Sequence, residues 1–365
     1  MTRVLIIEPA GNLWGSEKAL LDALRCLPDG MEAAVCCPPG RPIVAALKER
    51  AITVFPYFVY ALHERSRWAR LAAAFGVARA CFAFRPDVIH LNQAGCYRVV
   101  LLAAMLFRLP VVAHVRIFED ADYLAARAPD PRRLRALVAI SRAVEKALRA
   151  KPQLAAISVR VLYDAYAAGE QPERSAQTRG NRIACVGRLV PVKGQDILIE
   201  AMHRLYEGGA CGAECLIVGD GAGDYAEALR SAAARGAARS AIKLVGARDD
   251  VVPLLRDCAV LVCPSYREPL GRVILEAWDA GAVPVACAAS GGAAEIIAAA
   301  GGGVLYGEQS PQALANALRK LLSLRNAEAA ALVRNGRSWM KTHCDPRRYG
   351  EAFAELLVQA CASSS

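Results

Sequence analysis

An alternation, run twice, constrains this chain more than any other feature: short Val- and Ile-rich runs take turns with longer stretches of helical periodicity. In the first half the runs fall at residues 3–7, 32–37, 52–56, 87–91, 111–115, 137–140 and 158–162, with helical patterns such as 17–26 and 66–84 between them. After Tyr163 the pattern stops, and residues 167–181 are polar and turn-rich. It then restarts with runs at 182–186, 214–218, 242–245, 259–263, 283–286 and 303–305. Strand and helix in alternation build a parallel sheet covered on both faces. The expected fold class is α/β, with two doubly wound domains in tandem. Their expected extents are 1–166 and 182–344, joined by a linker over 167–181, with a last helix in 345–365 that crosses back onto the first domain.

A length of 365 residues, 55% of them hydrophobic, suits two well-cored domains. The longest apolar stretch, residues 99–115, is broken by Arg108 and Pro110 and falls short of a membrane span. The apolar run ahead of Glu8 is too short for a secretory signal, so the expected location is the cytoplasm. Thirteen cysteines include no C-x-x-C and no His at zinc-finger spacing, and Cys36, Cys37, Cys185, Cys258, Cys263 and Cys287 read as small buried hydrophobes. Of the net charge of +10, residues 1–165 hold +9 (23 Lys and Arg against 14 Asp and Glu). A basic half draws anionic partners: nucleic acid, membrane or phosphorylated substrate.

In doubly wound sheets ligands bind at the carboxyl ends of the strands, so the loops that follow the runs are where chemistry is sought. The first loop, residues 8–17, has Gly11 and Gly15 but no G-x-G-x-x-G, and the chain has no phosphate-binding G-x-x-x-x-G-K-[ST]. The glycine-dense segment with Gly219, Gly221 and Gly223 reads as a ligand loop or, equally well, as a plain strand-to-helix turn. Asp120 and Asp122 form a D-x-D in a polar loop, without a third ligand to hold a metal. The richest stretch is residues 265–285: a run ends near Pro264, Glu268 stands just before a helix expected to begin near Gly271, and Glu276 lies within it. Backbone amides at such a helix start suit an anion, and two carboxylates this far apart suit different parts of an extended ligand. Arg188 and Lys193 follow the run at 182–186, ahead of a helix expected from Gln195, and two cations there would neutralise a diphosphate.

Together these residues resemble a known family. Gly187-Arg188 with Lys193-Gly194, Glu268 with Glu276, Gly281 with Pro284-Val285, and Ser290-Gly291-Gly292 with Glu295 look like the retaining GT-B glycosyltransferases of family 4 (glycosyl transferases group 1). Pro86 to His90, Val138 to Val144 and Val161 to Asp164 are similar to segments of the family's first domain. The resemblance implies two Rossmann-like domains facing across a cleft and transfer of a sugar from a nucleotide-diphosphate donor to an acceptor hydroxyl. It implies that Arg188, Lys193 and the amides of Leu270 and Gly271 bind the diphosphate, that Glu276 binds the ribose and Glu268 the transferred sugar. Gly246 would hold the base through the main chain, Gly15 and Gly187 would also bind the donor, and His114 would meet the donor sugar. Trp14-Gly15 stands for the family's double glycine, Val115-Arg116 follows His114 where the family has Asp, and Asp164-Ala165 replaces its usual Asn-Gly. No cofactor is expected, because fixed cations and amides stabilise the departing diphosphate without a metal.

Of the five histidines, His63, His203 and His343 read as surface residues, His90 as packing at a strand end and His114 as functional. Two other function classes compete: a sugar-nucleotide epimerase on the same architecture, and a non-catalytic basic module. Carboxylates beside a phosphate site argue against the basic module, so nucleic acid is not an expected partner. The expected partners are a nucleotide sugar and a lipid-linked or cell-envelope glycan acceptor. Residues 65–79, with Arg65, Arg67 and Arg70 at the head and Trp68, Leu71, Phe75 and then Phe82 on one face, suggest a peripheral contact with the anionic inner face of the membrane. Leu71 and Phe75 are nevertheless expected to pack on the sheet, leaving the arginines to face lipid.

Overall fold

A computed structural model of the chain describes residues 1–57, 67–169, 180–209 and 212–362, and counts of elements are of those residues. The chain divides into two compact units, Met1–Ala167 with Cys344–Ser365, and Ala168–His343. Residues 170–179 of the expected linker lie outside the described residues, as do His63 and Arg65, and so does the side chain of Arg67.

The first unit runs β1 (Thr2–Ile7), α1 (Gly15–Leu24), β2 (Met31–Cys37), α2 (Pro42–Lys48), β3 (Thr53–Pro56), α3 (Arg67–Phe84), β4 (Val88–Leu91), α4 (Tyr97–Leu106), β5 (Val111–Val115), α5 (Glu119–Ala125), β6 (Leu134–Ala139), α6 (Arg142–Arg149) and β7 (Ser158–Val161). Its strands are all parallel in the order β3-β2-β1-β4-β5-β6-β7. Valine and isoleucine on both faces of β1, β4 and β5 leave those strands without a solvent side, as expected where helices cover a parallel sheet. The winding reverses between β1 and β4, and there the polar Glu8 and Asn92 follow Ile7 and Leu91 at the ends of the two strands.

The second unit runs β8 (Ile183–Val186), α7 (Gln195–Glu207), β9 (Cys215–Val218), α8 (Asp224–Ala233), β10 (Ile242–Leu244), α9 (Val251–Arg256), β11 (Val260–Cys263), α10 (Arg272–Ala280), β12 (Val283–Cys287), α11 (Gly292–Ala300), β13 (Val304–Tyr306), α12 (Pro311–Leu322) and α13 (Asn326–His343). Its parallel sheet has the order β10-β9-β8-β11-β12-β13, so its winding reverses between β8 and β11. The last helix, α14 (Pro346–Ala362), belongs to the first unit, where Tyr349, Phe353, Leu356 and Leu357 join its core. The Tyr166 amide donates to the Cys344 carbonyl at 2.9 Å, fastening the point where the chain re-enters that unit.

Four expectations need correction. β6 starts three residues before the apolar run at 137–140, because the half-buried Arg135 interrupts an otherwise apolar alternation at the sheet's end. The Asp120 and Asp122 segment is helix α5 rather than loop: Asp120 is buried while Asp122 pairs with Lys151, so the two carboxylates do not converge. His203 is buried, its Nδ1 accepting from the Ala238 amide, because the loop at Gly236 closes over its ring. Leu71 and Phe75 face solvent, because Ala73, Val77, Ala80 and Phe84 supply the side of α3 that meets the sheet.

Candidate active site

In the second unit the residues singled out from the sequence gather at the reversal between β8 and β11. Lys193 comes from the loop after β8 and Glu268 from the loop after β11, and the Lys193 ammonium donates to Glu268 Oε2 at 2.7 Å. The Ser265 hydroxyl donates to the same oxygen at 2.9 Å. Burial opposes the charge on Lys193, but the Glu268 carboxylate more than offsets this and raises the ammonium's pKa above its usual range. The pair is a fixed cation and a fixed acceptor side by side at a strand-end crevice.

Backbone geometry explains the glycines around them. Gly194 caps α7 in the left-handed region (φ 65°), and a Cβ on it would lie 2.2 Å from the Pro264 carbonyl oxygen. The loop carrying Lys193 therefore lies directly against the loop leading to Glu268, which no side chain at 194 would permit. Gly271 caps α10 at φ 83°, turning the chain so that Leu270 and Gly271 precede a nine-residue helix. The backbone of Glu268 is clamped from both sides: its amide donates to the Ser290 carbonyl at 2.6 Å and its carbonyl accepts from the Gly292 amide at 2.7 Å. A Cβ on Gly292 would lie 2.0 Å from the Pro269 carbonyl oxygen. The Ser-Gly-Gly segment thus sets the position of Glu268.

Gly187, Arg188, Gly246 and Glu276 complete the candidate set. Gly187 lies beneath the methylenes of Lys193, and Arg188 is exposed on the same loop. Gly219 is more than a turn residue: a Cβ on it would lie 1.9 Å from the Gly187 carbonyl oxygen, and its amide donates to Gly246 at 2.8 Å. The loops after β8, β9 and β10 are thereby stitched together along one edge. Glu276 is half-buried on α10, one turn from Arg272, with 3.9 Å between Oε1 and the guanidinium. Ser265, Gly194 and Gly292 were not singled out for these roles, although the short loop from β11 to Glu268 was the available sign for Ser265.

The first unit treats its own strand ends differently. Gly15 opens α1 and is exposed, but His114 is fully buried. Its Nδ1 lies 2.7 Å from His90 Nε2 and its Nε2 lies 3.1 Å from the Tyr349 hydroxyl of α14. Both ring nitrogens are engaged inside the unit, so His114 is an interior residue of that unit. Burial, then the nearby Arg116, holds both imidazoles neutral, with His90 lowered to about 3. Beside them Arg116 donates to Asp164 at 2.5 Å and to the Asn92 side chain at 2.9 Å, while Asn92 donates to Glu8. Arg116 and Asp164, two departures from the family pattern, are thus the halves of one buried ion pair.

The profile of the glycosyl transferases group 1 family matches residues 169–339, and that of the glycosyl transferase 4-like domain matches residues 15–168. The chain belongs to the GT-B glycosyltransferases of group 1. It is 35% identical over 191 residues to a D-inositol 3-phosphate glycosyltransferase of Salinispora tropica, covering 48% of this chain and 39% of the relative. It is 34% identical over 184 residues to a GDP-mannose-dependent alpha-(1-6)-phosphatidylinositol monomannoside mannosyltransferase of Mycobacterium tuberculosis, covering 48% of this chain and 44% of the relative. The matched stretch thus spans less than half of either relative. Among solved structures, that of Anabaena HepE in complex with UDP and glucose superposes with a TM-score of 0.82 at 23% identity, over 98% of this chain and 100% of that one. That likeness is one of fold.

Proposed function

We propose that this group 1 chain is a retaining, metal-independent glycosyltransferase that moves a sugar from a nucleotide-diphosphate donor to a hydroxyl of a lipid-linked or cell-envelope glycan. The observation that carries the reading is the Lys193 and Glu268 pair at the β8 and β11 reversal, a cation and a carboxylate meeting where doubly wound sheets bind ligands. In this reading Arg188, Lys193 and the amides of Leu270 and Gly271 hold the diphosphate, Glu276 accepts from the ribose hydroxyls, Gly246 lies along the base, and Glu268 accepts from the sugar. As the bond from the sugar's anomeric carbon to the phosphate oxygen breaks, its electron pair stays on the diphosphate. The cations meet that growing charge more strongly than they meet the ground state. The acceptor oxygen attacks on the same face and its proton passes to the departing phosphate, so no protein nucleophile is required. His114, being interior, takes no part in this donor set.

The names of two relatives support this acceptor class: one is named for a phosphatidylinositol monomannoside, and another, from Rhizobium meliloti, for lipopolysaccharide core biosynthesis. Among the described residues no helix is long and apolar enough to cross a membrane, which accords with work at the inner face of the membrane as a peripheral protein. The test is a product mass spectrum after incubation with nucleotide sugar and lipid-linked acceptor, run with and without chelator. A glycosylated product with the anomeric configuration kept, undiminished by chelator, is expected. An epimerised nucleotide sugar with no glycosylated product would favour the epimerase reading, and activity lost to chelator and restored by Mg²⁺ or Mn²⁺ would overturn metal independence.

A further inference from the structure

From the outer face of α3 and α4 we infer a docking surface for an anionic lipid bilayer. On α3, Trp68, Leu71, Phe75 and Phe82 recur at the spacing of one helical face and are all exposed: Trp68 is 81% and Phe75 72% accessible. α4 packs beside α3 and exposes Leu102, Met105 and Leu106, the last 68% accessible. Large apolar side chains exposed together on adjacent helices mark an interaction surface rather than scattered surface hydrophobes. The two helices reach the sheet through other residues, among them Val77, Phe84, Val100 and Ala103, so the exposed set does not hold the unit together.

Charge selects the occupant. Arg79, which lies on the same face of α3 between Phe75 and Phe82, is exposed, and so are Arg98 and Arg108 around α4. Residues 67–84 and 97–108 contain no aspartate or glutamate. A second copy pressed face to face would bring these arginines against one another with no carboxylate to meet them. A duplex would leave the aromatic side chains without a partner. A bilayer with anionic headgroups satisfies both features: the apolar side chains enter the headgroup and acyl boundary, and arginine heads reach up to phosphate while their stems lie in the apolar layer. This rests on the proposed transfer to a lipid-linked acceptor and supplies its missing step, the capture of the enzyme on the surface that carries its acceptor.

The test is co-sedimentation with vesicles of phosphatidylcholine, alone or mixed with phosphatidylglycerol. Wild type should pellet with the mixed vesicles at low salt and release as salt rises. The Trp68→Ser/Phe75→Ser and Arg79→Glu/Arg98→Glu variants should each bind at least ~10-fold more weakly, because the apolar and charge contributions add. Both should keep the donor-induced thermal shift of wild type, which shows that they are folded and that the second unit is unaffected. Wild type failing to bind, or either variant binding as wild type does, overturns the inference. So does a concentration-dependent dimer that Trp68→Ser/Phe75→Ser dissolves in the absence of lipid. Vesicle binding kept, with no glycosylated lipid in the product assay, would instead remove the acceptor reading, so the two failures are distinguishable.

Discussion

The two units use the same device, a parallel sheet whose winding reverses at its middle, and finish its carboxyl edge in opposite ways. In the first unit the reversal between β1 and β4 is closed by Glu8, Asn92, Arg116 and Asp164, all buried and bonded to one another. In the second, the reversal between β8 and β11 carries Lys193 and Glu268 on loops held by glycines, with Arg188 exposed beside them. Equal topology therefore does not mean equal chemistry. One edge bonds its polar groups to one another in the interior, and the other pairs a cation with a carboxylate on glycine-held loops beside an exposed arginine.

Substitutions in the two units should act on different observables. The largest effect is expected from Arg116→Leu, which leaves Asp164 buried without its partner, and urea unfolding should show a loss of about 3 to 5 kcal/mol. Replacing both Arg116 and Asp164 by leucine should recover part of it, and an Arg116→Leu protein as stable as wild type would mean that the network does not hold the first unit. Next come Lys193→Ala and Glu276→Ala, which should lower kcat/KM by the equivalent of about 2 to 4 kcal/mol. Stability should change far less, since Ser265 still donates to Glu268 when Lys193 is removed. Wild-type kcat/KM in either variant would withdraw the donor assignment.

The smallest effect is a pH dependence confined to the first unit. His90 titrates at about 3 when folded, against 6.5 without the surrounding fold, so the folded state binds fewer protons between those values. Its contribution to stability is complete above pH 6.5 and is lost as the pH falls toward 3. Burial pushes the carboxyls of Glu17 and Asp120 up to about 7, and these act in the opposite sense, losing stability as the pH rises. The readout is therefore the difference between wild type and His90→Gln. The stability lost on substitution should be about 2 kcal/mol smaller at pH 5 than at pH 7.5, by the free energy of 1.5 pH units. Equal losses at the two pH values would refute a buried neutral imidazole.

What could be read from the sequence follows the same division. The second unit's candidate residues could be placed from the sequence because their types are tied to one local geometry: a glycine where φ is positive, a carboxylate just before a helix, a lysine in the loop after a strand. The first unit's edge was not, because burial decides it. His114 at a strand end has the same sequence signature whether it meets a sugar or, as here, His90 and Tyr349, and Tyr349 comes from α14, 235 residues away. The pairing of Arg116 with Asp164 spans 48 residues, and no local pattern encodes it. The outward placement of Leu71 and Phe75 on α3 was missed for a related reason. That helix is apolar on more than one side, with Ala73, Val77 and Phe84 inside and Trp68, Phe75 and Phe82 outside, so periodicity finds a helix without saying which side the sheet covers.

The central claim is that the second unit's edge is a nucleotide-sugar site organised around Lys193 and Glu268. It is tested most directly by thermal shift of wild type and Lys193→Ala against UDP, GDP, ADP and their sugars. A ligand that binds only the folded state stabilises it, by about 2.7 kcal/mol at a hundred times its Kd. At least one nucleoside diphosphate or its sugar should raise the wild-type melting temperature, and the shift should be largely lost in Lys193→Ala. No shift with any of them, or the same shift in both proteins, would contradict it.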